Sequence, residues 1–285
     1  MMTEQLHKKV EQAIKLIQSA SKMACGHGQE LELCYSGGKD SDVILELTKM
    51  ADVPYRAIYR NTTIDPPGTI KHVLDMGVEI MRPKESFFEI IGKRGLPNKL
   101  KRFCCGYLKE YKILDYAIVG VRREESAKRA KNYVEPEICR IYNKTGKKQK
   151  VRQYFPILEW TSQDISEFVK ERNIKCHNLY YDEKGNFHAE RRLGCLACPM
   201  LDKKRIEYFK RYPNLIKAYA HALRKFRTSH PNSVSTLEYK DEYEHIARDV
   251  FYWRKTNKEW EYMKQNCIAP PNYKELLENY FNIKF

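Results

Sequence analysis

Leu31-Glu-Leu-Cys-Tyr-Ser-Gly-Gly-Lys-Asp-Ser-Asp-Val-Ile-Leu45 decides how the rest of the chain is read. Leu31 to Tyr35 has the composition of a short buried strand. Ser36, Gly37 and Gly38 force a sharp turn. A helix follows from about Ser41, with Val43, Ile44 and Leu47 on its buried side. A glycine turn between a strand and a helix aims backbone N–H groups at one spot. The helix N-terminus adds partial positive charge there, so the spot suits a phosphate. Lys39 adds a point charge at the mouth of the turn, with no packing role expected of it. Ser36 and Ser41 add hydroxyl donors. The spacing differs from G-x-x-x-x-G-K-[ST], which excludes the common P-loop.

Outward from this turn, strands alternate with helices. Tyr55-Arg-Ala-Ile-Tyr59, Val78-Glu-Ile-Met-Arg82 and Tyr116-Ala-Ile-Val-Gly-Val121 read as strands. Helices are expected from Leu6 to Ala24, from Thr69 to Met76, and from Thr161 to Arg172 with Ile165, Phe168 and Val169 inward. Pro66 and Pro67 keep Asn61 to Gly68 as a loop. Ile141 to Arg152, polar and basic, reads as an exposed hairpin or loop. The alternation predicts an α/β fold: a parallel twisted sheet with helices on both faces. Ligands of such sheets lie beyond the C-terminal strand ends, so the loops after Tyr35, Tyr59 and Val121 should share one cleft. After Pro199 the pattern turns helical, basic and aromatic. The expected division is residues 1–200 for the nucleotide-binding domain and 201–285 for a helical C-terminal region packed on it.

The chain has 285 residues, 42% hydrophobic and 31% charged, which fits a folded protein. Its net charge of +15 favours acidic partners, nucleic acid or nucleotides among them. No apolar run reaches membrane-spanning length and no signal-peptide core is evident, so a cytoplasmic location is expected. In a reducing compartment the nine cysteines point to metal or redox chemistry before disulfides. Cys104 and Cys105 are adjacent, and Cys195 and Cys198 form a C-x-x-C. Thiolates suit soft metals and iron–sulfur clusters, and an adjacent pair gives an awkward bite for zinc. Cys25, Cys34, Cys139 and Cys176 are expected to pack as small apolar groups. Cys267 is a weaker candidate for chemistry.

Ser36-Gly-Gly-Lys-Asp-Ser41 resembles the PP-loop of the adenine nucleotide alpha-hydrolase superfamily. Arg102-Phe-Cys-Cys-Gly-Tyr-Leu-Lys109 and Arg192-Leu-Gly-Cys-Leu-Ala-Cys-Pro199 resemble the 4Fe-4S ligand segments of assimilatory adenylylsulfate reductases. Gly120-Val-Arg-Arg-Glu-Glu-Ser126 and Pro156-Ile-Leu-Glu-Trp160 extend the likeness to the phosphoadenosine phosphosulfate (PAPS) reductase family from about Leu31 to Pro213. The resemblance implies that Ser36, Gly37, Gly38, Lys39, Asp40 and Ser41 hold the pyrophosphate of ATP with Mg²⁺. It implies that Arg122 and Arg123 contact a phosphate or the activated acceptor, and that Cys104, Cys105, Cys195 and Cys198 hold a 4Fe-4S cluster. Lys39, Asp40 and Arg122 are the candidate catalytic residues.

Two departures separate this chain from the sulfonucleotide reductases. They usually carry Ala-Glu-Asp where this chain has Gly-Lys-Asp-Ser, and they end in a nucleophilic cysteine that the tail from Glu278 to Phe285 lacks. The intact lysine loop with four cysteines looks closer to the PAPS-reductase-like ATPase subunits of DNA phosphorothioation systems. The leading expectation is therefore an ATP pyrophosphatase serving sulfur transfer to a nucleic acid, with a sulfur-donor protein of the cysteine desulfurase type. A sulfonucleotide reductase and a non-catalytic nucleotide-binding subunit are the alternatives.

Overall fold

The computed structural model describes residues 2–144, 147–253, 257–266 and 268–285. In chain order the elements are α1 (Glu4–Gly26), β1 (Leu31–Tyr35), α2 (Lys39–Ala51), β2 (Arg56–Arg60), α3 (Thr69–Asp75), β3 (Glu79–Met81), α4 (Phe87–Arg94), α5 (Phe103–Leu108) and β4 (Tyr116–Val119). Then come α6 (Ala127–Asn132), β5 (Glu137–Lys144), β6 (Lys147–Tyr154), α7 (Ser162–Glu171), α8 (Arg205–Arg211) and α9 (Asn214–Ser229). The C-terminal region continues as α10 (Val234–Leu237), α11 (Glu242–His245), a π turn (Ile246–Val250), α12 (Asn257–Gln265) and α13 (Tyr273–Phe281).

The chain forms two compact units. One comprises 1–61, 65–82 and 109–194; the other comprises 62–64, 83–108 and 195–285. The second unit thus draws in α4 and α5 as well as the C-terminal helices.

The first unit is built on a six-stranded sheet in the order β3-β2-β1-β4-β6-β5. All neighbouring pairs are parallel except β5 with β6. The strand order reverses between β1 and β4, which is where ligands sit in doubly wound sheets. β1 is buried along most of its length, as its apolar sequence requires. α1 packs on β1, β4 and β6, and α2 on β1 and β4. Leu6, Val10, Ala13, Ile17, Ala20 and Ala24 line the buried stripe of α1 at helical spacing. They join Leu33, Val43, Ile44, Ile118, Tyr154 and Phe168 in one core. α7 starts with a capping box, Thr161 with Asp164, and buries Ile165, Phe168 and Val169 as its periodicity predicts.

The segment from Ile141 to Arg152 agrees with its reading as a hairpin and departs from the expected exposure, among the described residues, at the buried Tyr142 and Val151. It is a hairpin, but β6 runs parallel to β4 inside the sheet and only β5 is at the edge. Val151, Gln153 and Tyr154 are buried. The polar first half of the hairpin masked that apolar end.

The second unit has its own core. Phe87, Ile90 and Ile91 of α4 pack with Phe209, Tyr219, Leu223, Phe251, Leu277 and Phe281. Phe209 stands edge-on to Phe251 at 5.0 Å, within an aromatic cluster that holds the helices together. Among the described residues no helix is long and apolar enough to cross a membrane.

Candidate functional site

Ser36 to Gly38 turn the chain from β1 into α2. Gly37 adopts a φ of 75°, a left-handed conformation open to glycine at little cost. A Cβ there would also stand 3.1 Å from Thr69 Cγ2. The Ser41 hydroxyl donates to the Gly38 carbonyl at 2.6 Å, and the Ser36 hydroxyl donates to Ser41 Oγ at 3.2 Å. The serines of the motif therefore brace the turn. The expected convergence of three loops holds: Thr69, after β2, meets Gly37, and Gly120, after β4, meets Asp40. A Cβ on Gly120 would lie 3.1 Å from the Asp40 carbonyl oxygen, so glycine lets the two backbones touch.

Lys39, Asp40 and Arg122 come together. Lys39 Nζ donates to Asp40 Oδ2 at 2.9 Å, and Arg122 Nε donates to Asp40 Oδ1 at 2.7 Å. Arg122 also donates to Glu124 Oε2 at 2.7 Å and to the Trp160 carbonyl at 3.2 Å. Asp40 thus spaces two buried cations at the switch point. Lys39 departs from its reading as a charge without packing. Its side chain is only 2% exposed and its ammonium lies 5.3 Å from the centre of the Tyr180 ring. Burial pulls its pKa down, opposed by Asp40, with Arg122 and Arg192 adding repulsion. Arg123 is engaged elsewhere: it pairs with Glu159 and donates to the carbonyls of Tyr133, at 2.8 Å, and Val134.

Three further contributors have no motif to announce them. The Tyr180 hydroxyl accepts from the Leu193 backbone N–H at 3.1 Å, and its ring lies under the Lys39 ammonium. Arg129 and Arg192 both reach Glu125, Arg192 at 3.7 Å, and add positive charge near Asp40. Only the Arg192 segment drew notice in the sequence, and then for its cysteines.

Beneath the first turn of α2, Asp42 is fully buried. It accepts from the Tyr35 hydroxyl and lies 3.0 Å from His72 Nε2. Burial raises the Asp42 pKa, and burial beside Asp42 raises that of Tyr35. His177 stands edge-on to His72 at 5.8 Å, and its Nδ1 accepts from the Leu179 N–H at 3.1 Å. Burial, then His72, lowers the His177 pKa from its ordinary 6.5.

The cysteines form a second constellation, wholly in the second unit. Cys105 closes a turn onto the Arg102 carbonyl at 3.0 Å, and Cys198 one onto the Cys195 carbonyl at 3.2 Å. The Cys104 thiol pKa is pushed up by its hydrogen bond with Cys105, by burial, and by the nearby Cys195 and Cys198. Cys104 thus lies within electrostatic reach of the other three thiols. No group of three or more donors among the described residues is drawn tightly enough to hold a single ion. Cys176 and Cys34 pack inward as expected, but Cys25 and Cys139 are exposed. Cys25 sits in the last turn of α1 and Cys139 on the edge strand β5, where apolar packing is lacking. Cys267 lies outside the described residues.

The phosphoadenosine phosphosulfate reductase domain family matches residues 30–201. The chain belongs to that family. An uncharacterised protein of Methanocaldococcus jannaschii is 27% identical over 239 residues, covering 78% of this chain and 54% of its own. Sulfate adenylyltransferase subunit 2 of Shewanella loihica is 29% identical over 239 residues, covering 73% of this chain and 77% of its own. The chain thus spans about half the length of the first of these relatives. A PAPS reductase structure from Candida auris is 18% identical with a TM-score of 0.40, over 63% of this chain and 91% of that one. That likeness is too slight to add to the topology.

Proposed function

We propose that this protein cleaves ATP between the α and β phosphates and transfers the adenylyl group to an oxyanion acceptor. The carrying observation is the pair of buried cations, Lys39 and Arg122, spaced by Asp40 beside the glycine turn at the sheet's switch point. An acceptor oxygen attacks the α phosphorus, the bond to the bridging oxygen breaks, and pyrophosphate leaves. Lys39 and the turn bind the pyrophosphate and offset the charge that builds on it. Arg122 holds the α phosphate for in-line attack. Mg²⁺ enters with the nucleotide as part of the substrate.

Within this reading the acceptor belongs to a nucleic acid and sulfur then displaces AMP. The net charge of +15 supports the nucleic acid, and the four thiols support sulfur chemistry. Cys104, Cys105, Cys195 and Cys198 would hold a 4Fe-4S cluster, which supplies sulfur handling or braces the fold when bound. A donor protein of the cysteine desulfurase type would deliver the sulfur. A second reading takes sulfate itself as acceptor with a partner subunit, favoured by the name of the Shewanella relatives.

The test is turnover of ATP by anaerobic protein with candidate acceptors and partners, resolving the products. AMP and pyrophosphate are expected, and Lys39→Met should abolish them while keeping the aliphatic stem over Tyr180. ADP and phosphate would sink the reading. Sulfite from adenylylsulfate would replace it with the reductase.

A further inference from the structure

The second unit encloses a cavity of about 320 Å³ whose walls include Arg94, Lys101, Arg205, His245 and Tyr252. Phe103, just before the first thiol pair, and Pro199, just after the second, also line it. Among the described lining residues there are three cations, Arg94, Lys101 and Arg205, and one carboxylate, that of Asp249. Asp249 Oδ2 lies 3.4 Å from His245 Nε2. Arg205 is only 4% exposed. It donates to the Asp249 carbonyl at 2.8 Å, and its guanidinium lies 4.9 Å from the centre of the Tyr252 ring. The charge is therefore fixed in place before any ligand arrives, which lowers the entropic cost of binding.

The backbone around this cavity is irregular in two places. Asp249 lies in the π turn from Ile246 to Val250, a form common at functional sites. Tyr252 has a φ of 57°, unusual for a bulky residue and costly unless the surroundings demand it. Both deviations shape the same cavity, and the activity proposed above uses neither. His245, 2% exposed, contributes a ring whose Nδ1 has no hydrogen-bond partner among the described residues.

We propose that this cavity is a second anion site that takes a 5′-nucleoside monophosphate. Arg205 and Lys101 bind the phosphate. Phe103 offers an aromatic surface for the base or sugar, a sequence-tolerant mode of nucleotide binding, while the Tyr252 ring carries Arg205 at 4.9 Å and Lys99 at 5.9 Å. The volume exceeds what bare phosphate fills and lies in the range of small-ligand pockets.

The experiment is calorimetric titration with uridine 5′-monophosphate and with inorganic phosphate. A pyrimidine keeps the adenine nucleotide turn out of the measurement. Saturable uridine monophosphate binding is expected, at least about tenfold tighter than phosphate. Arg205→Ala risks the fold, because Arg205 holds the π turn. Lys101 is exposed, so Lys101→Glu serves instead and should weaken the nucleotide by about tenfold or more. No saturable binding at millimolar nucleotide, equal affinity for phosphate, or unchanged affinity in Lys101→Glu would each overturn the assignment. The ATP product assay is separate, so failure here leaves that reading standing or falling on its own data.

Discussion

Glu32 sits in the middle of β1, fully buried, facing the buried guanidinium of Arg60. Arg60 donates to both carboxylate oxygens, to the Tyr111 carbonyl at 2.7 Å and to the Lys112 carbonyl at 2.8 Å. Glu32 Oε2 also accepts from the Leu114 N–H at 2.9 Å. The pair thus ties β1 and β2 to the segment leading into β4. Removing one partner leaves the other charged and unpaired in the core. Glu32→Ala is expected to cost about 3–5 kcal/mol in urea unfolding. A loss under about 1 kcal/mol would mean that water reaches Arg60. The sequence hid this pair, because one glutamate in an apolar strand announces no partner 28 residues away. Lys39 was hidden in the same way. Its motif marked it as a phosphate ligand, but its cover comes from Tyr180, which no local spacing connects to it.

At the scale of elements, the strand–turn–helix from Leu31 to Ala51 was legible because its signals are local: an apolar run, two glycines, and helical periodicity. The same holds for α7 with its capping box. β6 was less legible, since its place inside the sheet depends on pairing with β4. The short turn Asn178–Tyr180, which delivers Tyr180 to the site, rests on His177 as its N-cap. Nδ1 must stay unprotonated to accept from Leu179 N–H, so the proton sits on Nε2. The folded pKa lies below 6.5, and the unfolded chain takes up its proton near 6.5. Between those values the unfolded state binds more protons, so stability falls as pH falls. His177→Asn keeps a capping oxygen and removes the titration. Thermal unfolding midpoints measured from neutral pH downward are expected to fall less steeply in His177→Asn than in the parent. Equal slopes would remove His177 as their cause.

At the scale of the whole molecule, the chain keeps two cores, and its two candidate chemistries are distributed between them. The glycine turn with Lys39, Asp40 and Arg122 belongs to the sheet unit, and all four paired cysteines belong to the helical unit. Within that unit Cys105 and Cys195 stand roughly ninety residues apart in sequence, so a shared cluster would close a long loop. Its binding energy would then add to the stability of the helical unit. Anaerobically purified protein is expected to be brown, with about four irons per chain. Cys195→Ser should bleach it and reduce hydrogen-exchange protection in α5 and α9. Protection in β1 and β4 should change far less, because the sheet core contains none of these four thiols. Cys139→Ser is the control: Cys139 is exposed on β5, and iron content should not change. Colourless protein with one zinc per chain would remove the cluster but not the nucleotide site. If Cys195→Ser bleaches the protein yet leaves α5 protected, the cluster serves chemistry without bracing the fold. Loss of protection in both β1 and α5 would instead show that cluster loss destabilises the whole chain.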